Sequence, residues 1–255
     1  MTDPVMTSLE RDNRVLCVRL ARPKANIVDS KMVAALGKAF GDVARMPQLK
    51  AVLLGSEGPH FSFGASVEEH LPEQCAAMLK GFHKLILKIV SCPVPVLVAV
   101  SGQCLGGGLE VAMAGHLIFV SPNAQMGQPE IKLGVFAPAA SCLLPLRIGQ
   151  MQAEDILLSG RSIAAEEALR YGLIKAIADD PVAAAFEYFE DYLAPLSASS
   201  LRMAVQAARS SFTTQIRQRL AEVETLYLDR LMNNADPVEG LTAFIEKRAP
   251  EWTDD

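Results

Sequence analysis

Histidine is scarce in this chain: His60, His70, His83 and His116 are the only four, and they lie too far apart in sequence to mark a metal cluster. The five cysteines (Cys17, Cys75, Cys92, Cys104, Cys142) contain no C-x-x-C pair and are odd in number. That argues against a disulfide framework or a zinc site and for reduced, buried thiols in a cytoplasmic protein. Positive charge is also in short supply. With 24 Lys and Arg against 29 Asp and Glu, the net charge is −5, which speaks against a general nucleic-acid surface. A phosphorylated small molecule stays possible, because it needs only a few local cations. The polar segment Met1 to Arg14 lacks the apolar run of a signal peptide. The long apolar stretch from Cys92 to Val120 is broken by Pro93, Pro95, a glycine triplet and Glu110, so it reads as buried core and not as a membrane span.

Half of the 255 residues are apolar, enough for a substantial core, and the length fits one large domain or a domain with a subdomain. The most informative stretch is Cys104-Leu105-Gly106-Gly107-Gly108-Leu109-Glu110. A lone carboxylate in apolar sequence is costly to bury without a partner or a shifted pKa. Three glycines beside it strip the backbone of side chains, so that a ligand can approach the N–H groups closely. A tight packing turn explains the glycines equally well when they are taken alone.

Val15 to Leu20 and Ala51 to Leu54 read as strands, and Ser30 to Met46 between them carries a helical apolar spacing. Cys75 to Ser91 reads as a second helix, Val94 to Val100 as a strand buried on both faces, and Leu109 to Ala114 as a short helix before a strand at Leu117 to Val120. This is an α/β order, whose ligand sites belong at the loops leaving the strands. From Ser197 onward the pattern is helical only. Ile216, Leu220, Val223 and Tyr227 recur at helical spacing, and Leu226, Leu231 and Met232 widen the stripe enough to meet two neighbours. Asp236-Pro237 is expected to turn the chain before a last helix that ends near Lys247. The expected division is a core over 1–197 and a helical region over 198–255.

Three segments look chemically related. Ala65 in Phe63-Gly64-Ala65-Ser66 and Gly107 can each offer a bare N–H, and Glu130 in Gly127-Gln128-Pro129-Glu130 supplies a second carboxylate in an apolar setting. Two N–H groups aimed at one oxygen make an oxyanion hole. Two adjacent carboxyls cannot comfortably both ionise, and such a pair can pass protons in both directions. The plain alternative for Glu130 is a helix-end carboxylate satisfied by backbone N–H groups. Cys104 reads as a small filler, and His70 and His83 as structural residues.

In these segments the chain resembles the enoyl-CoA hydratase/isomerase (crotonase) superfamily. The matching text is Arg22-Pro23-Lys24-Ala25, Phe63 to Val67, Gly102 to Glu110, Met126 to Gly134, Leu158-Ser159-Gly160-Arg161, Tyr171-Gly172-Leu173-Ile174 and Glu239 to Arg248, in family order over nearly the whole length. The resemblance implies a spiral of ββα units with a C-terminal helical trimerisation region, assembled as a homotrimer or dimer of trimers. It implies an acyl-CoA substrate with no separate cofactor, no metal, and no nucleic-acid or membrane partner. By position, Ala65 and Gly107 become the oxyanion-hole donors, and Glu110 and Glu130 the catalytic carboxyls of the hydratase branch. Lys24, Ala25, Gly64, Ser66, Gly106, Phe136 and Lys247 become substrate and CoA contacts, with Arg248 a further candidate for the phosphates.

Two departures from the family pattern stand out. Ser66 replaces a common Asp, and Val135-Phe136-Ala137-Pro138-Ala139-Ala140-Ser141 replaces a glycine-rich segment expected to line the acyl pocket. The stretch Phe61 to Pro72 most resembles the branch that hydrates cyclic dienoyl-CoA thioesters in anaerobic aromatic breakdown. A general enoyl-CoA hydratase or an isomerase acting on another acyl-CoA, and a non-catalytic binding protein on the same fold, are the competing expectations.

Overall fold

Alternate residues of the central strands face opposite ways, and both faces are covered. The computed structural model describes residues 3–255. In chain order its elements are β1 (Val5–Glu10), β2 (Val15–Leu20), α1 (Ser30–Asp42), β3 (Ala51–Ser56), α2 (Pro72–Val90), β4 (Val96–Val100), β5 (Gln103–Leu105) and α3 (Gly107–Ala114). There follow β6 (Leu117–Val120), β7 (Gln125–Gly127), α4 (Pro138–Ile148), α5 (Gln150–Ser159), β8 (Ser162–Ala164), α6 (Ala165–Arg170), β9 (Ala176–Ile177), α7 (Pro181–Tyr188), α8 (Ala198–Asp229) and α9 (Ala235–Glu246).

The larger sheet runs β1-β2-β3-β4-β6-β9 and is parallel except for the β1–β2 hairpin. Leu16, Val18, Val52, Leu54, Val96 and Val98 point to the face covered by α1, α2 and α3. Val15, Cys17, Ala51, Leu53, Leu97 and Ala99 point the other way, towards Ala185 of α7 and Phe189. Burial on both faces is what a parallel sheet demands, and it explains the continuous apolar run of β4.

Each turn of chain leaves this sheet and adds a short piece to a second one. After β4 comes β5, after β6 comes β7, and β5-β7-β8 pair side by side. The loop after β3 joins in through a bridge between Ser62 and Cys104, and that after β2 through a bridge between Val28 and Ala65. The result is the expected spiral of ββα turns, stacking the strand exits along one line.

Local chemistry sets the helix starts. The Asp29 carboxylate caps α1 at Met32 N–H (2.9 Å) and is gripped by Arg22 at 2.6 and 2.7 Å. Pro72 opens α2 three residues ahead of the expected start, since its missing N–H costs nothing in a first turn. The same reason moves the last turn of the chain. Pro237 lies inside α9, and the reversal comes earlier, at Leu231–Asn233. On α8 the buried stripe is Ile216, Leu220 and Tyr227, whereas Leu226 faces out at 47% exposure, so the stripe is narrower than its apolar spacing indicates. β1 escapes the polar reading of the N-terminus because only Val5 of its six residues is buried, and the strand is held by backbone pairing to β2.

The C-terminal helix docks through a glycine. A Cβ on Gly240 of α9 would lie 2.3 Å from the Leu133 carbonyl oxygen and 2.8 Å from the Trp252 ring. Alanine favours a helix by about 1 kcal/mol over glycine, but overpacking against backbone costs about 1–3 kcal/mol, so the clash wins. Gly240→Ala is therefore expected to lower the thermal midpoint, and a rise in that midpoint on scanning calorimetry would show that α9 does not dock as described.

Candidate active site

The strand exits converge on a cavity of about 660 Å³ whose floor is backbone. Gly106 ends β5 with φ +49° and ψ −130°, a conformation reserved for glycine, and a Cβ there would sit 2.6 Å from Glu130 Oε1. This residue both turns the chain into α3 and clears space for the carboxyl. One residue on, a Cβ on Gly107 would lie 3.1 Å from both the nitrogen and the Cβ of Ala65. The amides of Ala65 and Gly107 are thus neighbours, and neither N–H has a backbone acceptor among the described residues. Gly107 also begins α3, where the helix dipole adds partial positive charge.

Both carboxyls face this cavity. Glu110, in the first turn of α3, is 4% exposed and accepts the Ala140 N–H at 2.7 Å. Burial pushes its pKa up to about 7, against the lowering effect of the Ala140 and Ala139 amides. Glu130 sits in the 3-10 turn Pro129–Leu133, and its pKa is raised well above the usual value by burial and then by the charge of Glu110. With its nitrogen turned to the carboxylate, the buried Gln128 amide donates to both Glu130 oxygens at 3.1 Å. One carboxylate and one carboxylic acid, facing a pair of unengaged N–H groups, can stabilise an oxyanion and move protons beside it.

Gly64, Ser66, Gly106 and Phe136 line the same cavity, and so do Ala137 and Pro138 of the atypical segment. Ser66 donates to Glu68 at 2.9 Å. Other expected residues lie elsewhere. Lys24, Ala25 and Lys247 are not among the lining residues. Ala25 instead accepts the Phe63 N–H at 2.9 Å, bracing the loop that carries Ala65, and Lys247 terminates α9 in a left-handed conformation. Arg248 is engaged by Glu239 at 2.5 and 2.8 Å and by Glu246 at 2.7 Å, so it braces the chain end. His70, expected to be structural, lines the cavity. Its Nδ1 lies 2.7 Å from the Ser66 carbonyl, and burial lowers its pKa, favouring a neutral ring that donates from Nδ1. His83 pairs with Glu224 at 2.5 Å between α2 and α8. Cys104 is fully buried, and its thiol is pushed far up by burial.

Sequence reasoning also missed Lys132, Leu241 and Phe244 on the cavity wall. All three stand within the matching family segments but carry no local signal of their orientation. Among the described residues no group of three or more His, Cys, Asp or Glu could hold a metal ion, and no helix is long and apolar enough to cross a membrane.

The far end of α3 is fixed as well. Arg209 of α8 donates to the Ala114 carbonyl at 3.0 Å, and Arg209 and Arg147 of α4 both donate to the Gly115 carbonyl. Neither arginine has a carboxylate within ion-pair distance among the described residues, and burial lowers their pKa values to about 10 and about 9.

The raised carboxyl pKa values make stability depend on pH. Both native values lie above the usual 4.5, so the folded protein binds more protons than the unfolded chain above that pH. The associated stability is complete below about 4.5 and is lost as pH rises through about 7. Glu130→Gln removes one of the two like charges. Its melting temperature relative to the parent is expected to climb between pH 5 and pH 8, and a difference that stays flat across this range would contradict the shared burial.

Residues 10–255 match the family model described as enoyl-CoA hydratase/isomerase. A cyclohexa-1,5-dienecarbonyl-CoA hydratase of Thauera aromatica is 59% identical over 98% of this chain and 97% of its own length. A probable enoyl-CoA hydratase of Mycobacterium bovis is 35% identical over 96% of each chain. Among solved structures, an enoyl-CoA hydratase/isomerase from Pseudoalteromonas atlantica superposes with a TM-score of 0.85 at 28% identity, covering 98% of this chain and 100% of that one. With the spiral, the paired amides and these relatives in agreement, the chain belongs to the enoyl-CoA hydratase/isomerase family.

Proposed function

We propose that this protein is a hydro-lyase that adds water to a cyclic, conjugated dienoyl-CoA, converting cyclohexa-1,5-diene-1-carbonyl-CoA into 6-hydroxycyclohex-1-ene-1-carbonyl-CoA. The observation that carries the reaction is the placement of the buried Glu110 and the half-buried Glu130 together on a cavity that also holds the Ala65 and Gly107 amides. An isomerase moves protons between carbons only, whereas hydration also needs a base for water, and a pair of carboxyls can share the two proton transfers. The acyl group is supported by the 59% identity to the Thauera aromatica hydratase and by the Phe136–Pro138 wall, which differs from the glycine-rich family pattern.

In this reading the two amides receive the thioester oxygen and make the β-carbon electrophilic. One carboxylate takes a proton from water while the water oxygen bonds to that carbon. The displaced electron pair spreads through the ring onto the thioester oxygen, held there by the amides. The second carboxyl then delivers a proton to the far end of the dienolate, leaving one ring double bond conjugated with the thioester. Atoms and electrons balance with water alone, so the CoA carried by the substrate is the only coenzyme required.

The same proposal assigns residues 1–197 to acyl-CoA binding and catalysis, and residues 198–255 to CoA contact and to assembly of a homotrimer or dimer of trimers. The exposed side chains of Met151 on α5 and Met203 on α8, 73% and 62% accessible, are suited to burial against further copies. A cytoplasmic location fits the free cysteines.

Incubation in water labelled with oxygen-18 is expected to place one label in the product of the cyclic dienoyl-CoA, faster than in that of crotonyl-CoA. Faster crotonyl-CoA turnover would indicate a general enoyl-CoA hydratase, product without label an isomerase, and binding without turnover a non-catalytic protein. Gly107→Ala places a methyl group against the Ala65 amide, and loss of one oxyanion donor typically costs about 10²–10³ in kcat. A loss of that size with an unchanged circular dichroism spectrum is the expected result.

A further inference from the structure

The bond from His70 to the Ser66 carbonyl accounts for one ring nitrogen and leaves the other without a partner. A carbonyl oxygen only accepts, so the proton of the neutral ring sits on Nδ1, 2.7 Å from that oxygen. Nε2 then carries only a lone pair. It has no hydrogen-bond partner among the described residues, and unlike Nε2 of His83 and His116 it is not closed off by surrounding protein. The adjacent acids are engaged elsewhere. Glu68 receives the Ser66 hydroxyl at 2.9 Å, and Glu69 receives the Ser30 N–H at 2.9 and 3.1 Å. Burial lowers the pKa of the ring, outweighing the opposing influence of Glu69. The side chain therefore presents a hydrogen-bond acceptor to the cavity it lines.

That acceptor belongs to the acyl wall. Val67 and Leu71, on either side of His70, pack with Phe136 against the cluster that holds Leu79, Val135 and Leu241. Phe136 and these three cluster residues line the cavity. An apolar side chain at position 70 would complete such a wall without desolvating a nitrogen. The thioester oxygen is itself an acceptor, and the hydrocarbon ring of the dienoyl group has no polar hydrogen. The donors left for Nε2 are an O–H on the acyl side and the amide N–H groups of the CoA arm. We propose that His70 is a specificity-determining residue whose Nε2 accepts a hydrogen bond from the oxygen that hydration adds, first as water and then as the ring hydroxyl. The inference rests on reading the protein as a hydratase and deepens that reading. Water has two O–H bonds. One proton passes to a carboxylate as the oxygen bonds to carbon, and the other stays on the oxygen, where His70 holds it without taking it.

The substitution His70→Leu removes the acceptor, and His70→Gln returns one through its amide oxygen. For hydration of the cyclic dienoyl-CoA, His70→Leu is expected to lower kcat about 5–10-fold with KM within about twofold, because the diene makes no bond to His70. For dehydration of the 6-hydroxy thioester, KM is expected to rise about 5–10-fold with kcat held. The two losses in kcat/KM are equal, as an unchanged overall equilibrium requires. His70→Gln is expected to recover most of both. A disturbed Ala65 loop would instead lower kcat in both directions, and a lost contact to the CoA arm would raise KM in both. Either pattern would overturn the proposal.

Calorimetric titration with two saturated thioesters, 2-hydroxycyclohexane-1-carbonyl-CoA and cyclohexane-1-carbonyl-CoA, gives a readout that needs no turnover. The parent is expected to bind the hydroxylated compound about 5–10-fold more tightly, and His70→Leu to bind the two alike. Equal affinities in the parent, or a preference that survives in His70→Leu, would overturn the proposal. If the preference depends on His70 but the parent neither adds nor removes water, the hydratase reading fails while the hydroxyl-accepting role of His70 stands.

Discussion

Backbone meeting backbone at Gly106 and Gly107 is the constraint on which the site depends. A side chain here would crowd the Ala65 amide and the Glu130 carboxyl, which approach this segment at 3.1 and 2.6 Å from a would-be Cβ. Because the chain turns inside out there, the start of α3 can present unengaged amides and Glu110 to the same space. The spiral supplies the three segments in register. Strand exits after β3, β4 and β6 lie side by side through the Ser62–Cys104 bridge and the β5–β7 pairing. The chemistry is thus assembled from consecutive turns of one winding, each contributing a loop at the same height.

Much of this could be read from residue patterns, for physical reasons. The glycine triplet followed by a carboxylate in apolar sequence had few inexpensive explanations, and the structure buries that carboxylate at 4% exposure. The central strands were readable because burial on both faces forces unbroken apolar runs. β1 was not, because its stability comes from main-chain pairing and only Val5 turns inward. The three-residue strands β5, β7 and β8 were equally hidden, since a ladder of that length leaves no periodicity to detect.

Cationic residues were the least readable part. Lys24, Lys247 and Arg248 stood in motif text, yet nothing local distinguishes a cation that meets a ligand from one that meets a neighbouring carboxylate. Arg248 closes on Glu239 and Glu246, and Lys132, which also stood in motif text, lies on the cavity wall. His70 illustrates the same limit. Its place on the wall depends on the Ser66 carbonyl it bonds to, which fixes the ring only once the loop has folded.

The two arginines at the far end of α3 have a mechanical consequence. Arg209 comes from α8 and Arg147 from α4, so the eight-residue α3 is pinned at its far end by two separate elements. Sliding or rolling this rod would strip two desolvated guanidinium groups from their carbonyls with no acid nearby to receive them. The donors at its leading end thereby inherit their aim from an anchorage about 12 Å behind them, the length of eight helical residues. Precision in the hole is a property of the whole rod, set from the rear.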